Sequence, residues 1–525
     1  MTDTIAAPTP PRDPGTSRPE PRWLWTAVGI VTLGALGARF VVPSPLWLDE
    51  ALSVNIARLP LSSLAEALRH DGHPPLYYVL LHGWMTLFGT SDLAVRALSG
   101  VLSLLTLPLA FRAGRRVGGN HLGWMTVVVL GLSPYFLRFG SETRMYSLVI
   151  LLVFAGYLLI SESIDPDDPR GLTWLRGVGI AVVGAALLWT HYWAMWLVAA
   201  VGLLLAIRLA LLRRRSGSWD RTTVGVLAAV AAGAATFVAW LPVLAYQARH
   251  TGTPWADPFE PAAMIVTSIQ QFAGGPYSEP QVLLLLLIVL LMVGIMGRGV
   301  DDWRVDLDLR SRPDARVPAL VLVTTMGVAS VAGIVTRSAF APRYAAIFFP
   351  FFVLLIALGL DHLRGRVVRT VVLGTFVLLS LVGLALTFRQ MRTQAGDIGA
   401  AIRRANAAGA VVVTCPDQLG PSIRRTVPAG LEVTTYPRFG DPRYVDWVDY
   451  TERNRRNDPE RFADELLKRA EGRTIFAVVN NGFLTLGNQC DAMVAALGRV
   501  RRAELIRDAA GDRYVEAMSL YILRP

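Results

Sequence analysis

Apolar runs about as long as a bilayer is thick recur along this chain, and they limit its folding more than any other feature of the sequence. A membrane-crossing helix takes roughly 20 mostly apolar residues. Runs near that length lie at 23–42, 93–111, 121–137, 145–161, 173–190, 192–208, 223–243, 282–297, 317–336, 345–360 and 367–387, eleven candidate spans in all. The spans at 173–190 and 192–208 share almost no loop, so a tight turn at Thr190-His191-Tyr192 is required. Charged residues make up only 17% of the 525, against 53% hydrophobic, where soluble domains carry about 25% charged. That deficit excludes a disordered scaffold and speaks against a wholly soluble enzyme. The fold class expected is a polytopic α-helical membrane protein.

The formal charge is +11, from 51 Lys and Arg against 40 Asp and Glu. In a soluble chain such a surplus raises nucleic acid as a partner. Here the basic residues flank apolar runs, and no zinc-finger or RNP spacing occurs, so they read as topology signals and contacts to anionic membrane lipid, with no nucleic acid partner. Placing the N-terminus in the cytoplasm puts the loops Arg112–Arg116, Arg213–Arg221, Arg298–Arg316 and Asp361–Arg369 on the inside, all rich in Arg, together with Ser161–Gly171. The loops 43–92, 138–144, 190–192, 244–281 and 337–344 then face out. The Pro-rich polar segment 1–22 reads as a disordered cytoplasmic tail. No small-residue cleavage site follows a short apolar stretch there, so a retained membrane helix is expected rather than a signal peptide.

The odd number of spans leaves 389–525 outside the membrane, after a membrane domain covering 23–388. This last part is polar. Its short apolar runs Val411–Thr414, Thr474–Val479 and Tyr514–Ile522 alternate with helix-like Pro459–Arg469 and Gln489–Leu497, the pattern of a soluble extracytoplasmic α/β domain. Both cysteines, Cys415 and Cys490, lie in it. In an oxidising compartment two cysteines read as one disulfide, the alternative being two unrelated buried thiols.

The outer loop 43–92 carries the most chemistry. Trp47-Leu48-Asp49-Glu50 opens it, followed by helical spacing over Ala51–Leu59. Ser63-Leu64-Ala65-Glu66 has a capping-box pattern, and Asp71-Gly72-His73-Pro74-Pro75-Leu76-Tyr77-Tyr78 leads into an apolar run ending at Phe88 that is too short to span. Two amphipathic helices lying on the outer surface are expected. Other ionisable groups converge at the same depth: Arg138, Glu142 and Arg144, then His191 and Tyr192, then Arg337, Arg343 and Tyr344. Interfacial charges in so apolar a protein are functional candidates.

These loop motifs, together with Ser133-Pro134-Tyr135, Ser141-Glu142-Thr143-Arg144-Met145-Tyr146-Ser147 and Ala341-Pro342-Arg343-Tyr344, resemble the bacterial family-39-type glycosyltransferases. That family belongs to the GT-C superfamily, with the protein O-mannosyltransferases and aminoarabinose transferases as cousins. The resemblance covers about 23–390. It implies a polyprenyl-phosphate-sugar donor, an active site at the outer membrane face, and an acid in the first outside loop as catalytic base. Asp49 matches that acid. Residue chemistry agrees: a lipid-linked phosphate wants arginine, whose planar fork binds two oxygens, and an acceptor hydroxyl needs a carboxylate to take its proton. The leaving group is already a stable anion, so one base and a cationic clamp suffice.

The expected catalytic residues are Asp49 as base and Glu50 as its helper, holding an acceptor hydroxyl or the loop. The expected substrate-binding residues are Arg343 with Tyr344 at the phosphate, His73, Arg144 and His191. Each has a structural alternative. Asp49 could cap the loop helix, Arg343 could snorkel to the interface, His73 could serve a turn, and Arg144 could bind phosphate or pair with Glu142, the pair being the favoured reading. A divalent metal stays open as a cofactor, with Asp49, Glu50, Asp71, His73 and His191 as ligands at hand, although no compact ligand motif occurs.

The expected function is inverting transfer of a sugar, mannose first and arabinofuranose or another pentose second, onto a glycan, glycolipid or protein acceptor of the cell envelope. Two rivals are a lipid or glycan flippase and a glycan-binding envelope protein with an inactive membrane part. Transporters often carry internal repeats and mid-span charges. Neither is evident in this sequence.

Overall fold

The computed structural model describes residues 22–251, 260–275, 281–336, 339–483 and 485–525. The expected tail 1–22 falls outside them except for Arg22, and so does Arg337. The membrane part comprises helices α1 (Arg22–Gly37), α2 (Leu48–Ala57), α3 (Leu61–Asp71), α4 (Leu76–Phe88), α5 (Asp92–Gly131), α6 (Pro134–Gly140), α7 (Tyr146–Ser163), α8 (Trp174–Thr190), α9 (Ala194–Ser216), α10 (Arg221–Ala235), α11 (Leu241–His250), α12 (Pro261–Phe272), α13 (Gln281–Met296), α14 (Pro313–Thr336), α15 (Phe349–Asp361) and α16 (Arg366–Arg389). A small hairpin, β1 (Gly297–Gly299) with β2 (Val305–Leu307), sits between α13 and α14.

Among the described residues six helices are long and apolar enough to cross a membrane. Five shorter apolar ones accompany them, at Trp25–Phe40, Leu76–Phe88, Trp174–Thr190, Gln281–Met296 and Phe349–Asp361. Each apolar run in the sequence coincides with helix. The runs at 93–111 and 121–137 share α5, which breaks at Gly118 and Gly119. Gly119 sits at φ +85°, a conformation that a side chain would strain, so the chain reverses there without a conventional loop. The second run ends early, at Gly131, and Ser133 caps the separate short helix α6 by accepting from Phe136 N. Large apolar side chains such as Leu105, Val182, Leu203, Leu285, Val331 and Leu378 point outward, as lipid-facing surfaces do. Helices α13 and α15 approach closely through two glycines. A Cβ on Gly294 would lie 2.1 Å from Leu355 O, and one on Gly359 2.1 Å from Leu290 O.

The loop 43–92 departs from expectation. It forms three helices rather than two. The first, α2, is buried on nearly all its faces instead of lying on a surface, with Leu48 and every residue from Glu50 to Ala57 inside. The capping box at Ser63 is not used, because Pro60 already stands at the N-cap and α3 starts at Leu61.

Beyond α16 the chain builds a three-layer α/β domain. Its strands are β3 (Met391–Thr393), β4 (Val411–Cys415), β5 (Glu432–Thr435), β6 (Ile475–Val479), β7 (Ala503–Arg507), β8 (Tyr514–Glu516) and β9 (Ser519–Leu523). Its helices include α17 (Ala395–Ala405), α18 (Gly420–Thr426), α19 (Tyr450–Arg455), α20 (Pro459–Ala470) and α21 (Gln489–Val500). The main sheet runs β5-β4-β6-β9-β7, with β5, β4 and β6 parallel and β9 antiparallel to β6. Strand alternation sends Val411 and Val413 towards Phe462, Leu466 and Met493, while Val412 faces Ile398, Ile402 and Ile423. Cys415 and Cys490 form the expected disulfide. Strand β3 leaves the main sheet and pairs with β8 beside the membrane part.

Candidate active site

Helix α2 carries Asp49 and Glu50 in its first turn. Successive residues on a helix point about 100° apart, so the two carboxylates face different surroundings. Asp49 looks towards the ends of α7 and α15. Its Oδ2 lies 3.3 Å from Arg343 Nη1 and 3.9 Å from Arg144 Nη2, yet it makes no hydrogen bond although it is buried. Tyr146 Oη, which has Arg343, Arg144 and Asp49 as its charged neighbours, is likewise buried without a hydrogen bond. Buried polar atoms nearly always find partners. Bare ones on Asp49 and Tyr146, beside two guanidinium groups, mark a place suited to a polar ligand.

Arg144 is held on several sides. Its Nη1 donates to Ser53 Oγ at 3.1 Å, and Ser53 in turn donates to Asp49 O at 2.7 Å. Its Nη2 stands 3.0 Å from His73 Nε2. Arginine can only donate, so Nε2 accepts and the His73 proton sits on Nδ1, which donates to Asp71 Oδ2 at 2.9 Å. Tyr78 donates to the same oxygen at 2.8 Å. The chain Tyr78–Asp71–His73–Arg144 thus aims Arg144 at Asp49. Burial opposes the Arg144 charge, but Asp49 and its other neighbours more than offset it and keep the guanidinium protonated. The expected pairing of Arg144 with Glu142 is not found. The Glu142 carboxylate instead lies 3.7 Å from Arg138 Nε, and burial pushes it up from its ordinary range.

Glu50 is sealed off from any ligand. Its Oε1 accepts from Arg96 Nε (2.8 Å), Thr143 N (3.0 Å) and Arg392 Nη1 (3.0 Å), and its Oε2 from Arg96 Nη2 (2.6 Å). Burial works against its ionisation, but Arg96 and Arg392 outweigh it and hold the carboxyl well below the usual range. With both oxygens saturated, Glu50 has no room to hold an acceptor hydroxyl, which removes it from the expected catalytic pair. What remains of its expected role is to hold the loop.

Arg343 and Tyr344 lie in a 3₁₀ turn, Pro342–Ile347, before α15. The Arg343 side chain is about a quarter exposed, more open than Arg144, and its backbone carbonyl accepts from Tyr135 Oη at 3.0 Å. The Tyr344 ring packs edge-on against His191 at 5.0 Å and beside Trp193 at 5.6 Å. His191 caps the end of α8. Its Nδ1 accepts from Trp193 N at 3.1 Å, and burial, with His73, Arg144 and Arg343 nearby, holds the ring well below its ordinary pKa and therefore neutral. His191 reaches the site as packing for Tyr344 and Tyr146. Among the described residues no three His, Cys, Asp or Glu side chains gather as a ligand set. With two guanidinium groups facing Asp49, Glu50 given over to arginines and Asp71 bonded to His73, these residues do not fit a divalent cation.

The structure therefore joins Asp49, Arg144, Arg343, Tyr344, His73 and His191 in one region and turns Glu50 away. Sequence reasoning missed Ser53, Arg96 and Arg392. Arg96 left a trace as a lone charge inside an apolar run. Arg392 left none.

The family described as dolichyl-phosphate-mannose-protein mannosyltransferase matches residues 72–242, about a third of the chain. No curated protein matches the sequence. Among solved structures, ArnT from Cupriavidus metallidurans in the apo state has a TM-score of 0.60 at 11% identity, covering 95% of this chain and 97% of that one. The same protein bound to undecaprenyl phosphate gives 0.56 at 13% identity over the same shares. The chain thus shares the fold of ArnT along nearly its whole length, and residues 72–242 are similar to the mannosyltransferase family.

Proposed function

We propose that this protein transfers a sugar, with inversion, from a polyprenyl-phosphate donor to an acceptor hydroxyl at the outer face of the cell membrane, with its N-terminus in the cytoplasm and its α/β domain outside. The observation that carries the reading is the Asp49 carboxylate, bare of hydrogen bonds and faced by Arg343 and Arg144. A base beside a cationic pair is what this chemistry needs. The phosphate of the donor binds Arg343, the more open of the two arginines, with Tyr344 beside it. Asp49 takes the proton of the acceptor hydroxyl as its oxygen attacks the anomeric carbon from the side opposite the phosphate. The new glycosidic bond forms, the bond from sugar to phosphate breaks, and the polyprenyl phosphate leaves as an anion that Arg343 and Arg144 stabilise.

Before donor arrives, Arg343 offsets Asp49. A phosphate that draws Arg343 to itself loosens that pairing and frees the Asp49 carboxylate to accept from the acceptor hydroxyl. Mannose remains the first sugar to try and arabinofuranose the second, since the fold sets neither. The test is transfer by the purified full-length protein in lipid nanodiscs, given labelled mannosyl and pentosyl polyprenyl phosphates with envelope lipids, glycans and peptides as acceptors. Labelled product from one donor supports the proposal. Failure with every donor, alongside donor movement in sealed vesicles, would make the protein a flippase.

A further inference from the structure

Arg392 belongs to the α/β domain, yet its side chain is buried inside the membrane part's outer end. Its Nη1 donates to Glu50 Oε1 (3.0 Å) and Ser141 O (2.8 Å), and its Nη2 donates to Ser141 Oγ (2.7 Å) and more weakly to Arg138 O (3.4 Å). The backbone beside it is held as well: Arg392 N and Thr393 N both donate to Ser44 Oγ, at 2.9 and 3.2 Å. Arg96, the other cation on Glu50, donates to Ser44 O and Pro45 O at 2.7 and 3.0 Å. One buried carboxylate thus ties together four stretches of chain: the lead-in to α2, α5, the loop 141–145 and β3.

Two of these stretches carry the reacting groups. Asp49 precedes Glu50 on α2, and Arg144 follows Thr143, whose amide also binds Glu50. We infer that Arg392 is a positioning residue for the transfer reaction: it acts through Glu50 and Ser141 to fix the Asp49 helix against the Arg144 loop, so that the α/β domain completes the active site without touching substrate. This rests on the proposed function for its kinetic consequence but not for its structural one. Burying Glu50 with Arg96 alone would leave a carboxylate with one cation where the fold provides two. A Ser141–Arg144 turn without the Arg392 fork would keep only its local bonds. Displacements of about 1 Å at a reacting group can cost about 10²-fold in rate.

The experiment uses the full-length protein. Arg392→Met keeps the bulk and removes the charge. It should lower the single-turnover transfer rate about 10²-fold and weaken the affinity for polyprenyl phosphate far less than that, because Arg343 is untouched and Arg144 keeps its bonds to Ser53 and His73. Arg392→Lys should recover part of the rate. Glu50→Gln should also be slow, and the double variant Arg392→Met/Glu50→Gln should be no slower than the worse single one, as for residues acting through one contact. Independently of activity, hydrogen exchange in Arg392→Met should rise at 48–52 and 141–145 while the sheet at 411–415 stays protected. A wild-type rate in Arg392→Met, multiplying defects in the double variant, or unchanged exchange at both segments would overturn the inference. If Arg392→Met unfolds the whole domain, Arg392→Lys decides: full rate with intact exchange would overturn it, and a slow enzyme with a protected sheet would support it. If the wild-type protein transfers no sugar at all, the functional reading fails while the exchange result still stands.

Discussion

Replacing Asp49 with Asn keeps shape and removes both charge and basicity, and the structure gives these two losses opposite signs. At 3.3 and 3.9 Å from two guanidinium groups, the carboxylate interacts with them by about 5 and about 4 kcal/mol at an effective dielectric near 20, before desolvation is subtracted. That attraction occupies the cations that a phosphate would use. Asn frees them. Affinity for polyprenyl phosphate should therefore hold or improve, by up to about tenfold if some 1.4 kcal/mol of the released attraction is transferred to the ligand. The chemical step moves the other way, since loss of a general base costs about 10²–10⁴-fold. The barrier term is the larger, so turnover collapses while binding does not. Single-turnover transfer at saturating donor, with calorimetric binding of polyprenyl phosphate to the same preparation, separates the two. A wild-type rate would remove Asp49 from the chemistry. A slow variant that has also lost its donor affinity would refute the competition argument and mean that Asp49 contacts the donor directly.

Arg343→Ala should weaken donor binding by roughly 2–5 kcal/mol, as when one partner of a buried charged pair is lost. Arg343→Lys should recover only part, because the two-oxygen geometry is gone, and unchanged affinity would shift the phosphate to Arg144 or Arg138. Converting Cys415 and Cys490 to Ala opens a link spanning 75 residues and should destabilise the α/β domain by roughly 4 kcal/mol on the loop-entropy scale, read as a lower melting temperature of the domain. Burial pushes the Glu516 carboxyl from an ordinary 4.5 up to about 8. It binds a proton more tightly when folded, so its stabilising contribution is complete below the ordinary value and is lost as pH climbs through about 8. Glu516→Gln should flatten that decline, which is at most about 1.4 kcal/mol for each step of one in pH, and an unaltered melting profile between about pH 5 and about pH 8 would count against it. A reporter that works only in the cytoplasm, fused after Pro525, should stay silent, and strong activity there would reverse the orientation of the α/β domain.

The helices were legible because bilayer crossing needs long apolar runs, and such runs announce themselves. The β4, β6 and β9 strands were legible for a related reason: each buries both faces, leaving short apolar blocks in a polar stretch. Helix α2 was harder. Its apolar spacing was evident, but a surface helix and a buried one differ only in what covers the polar face, and here the cover comes from α18 and from Arg443, whose carbonyl accepts from Asn55 Nδ2. The site followed the same division. Asp49, Arg144, Arg343 and His73 stood out as charges at one depth. The separation of Asp49 from Glu50 did not, because adjacent acids look alike in a sequence and only their partners tell them apart. Glu50's partner Arg392 lies 342 residues away, and no local pattern ties the two together.

That distance bears on how the protein comes into being. Synthesis proceeds from the N-terminus, so Asp49 and Glu50 are made early and Arg392 only after the last long apolar helix. The strand that carries Arg392 pairs with β8 at 514–516, so until that late segment is made Glu50 waits with Arg96 as its only fixed cation. The acid and arginines of the site are then all present but not yet locked. On the function proposed above, a chain that ends before β8 would sit in the bilayer and fail to turn over. Competence would arrive with the closing of the last domain, a checkpoint on completeness written into one ion cluster.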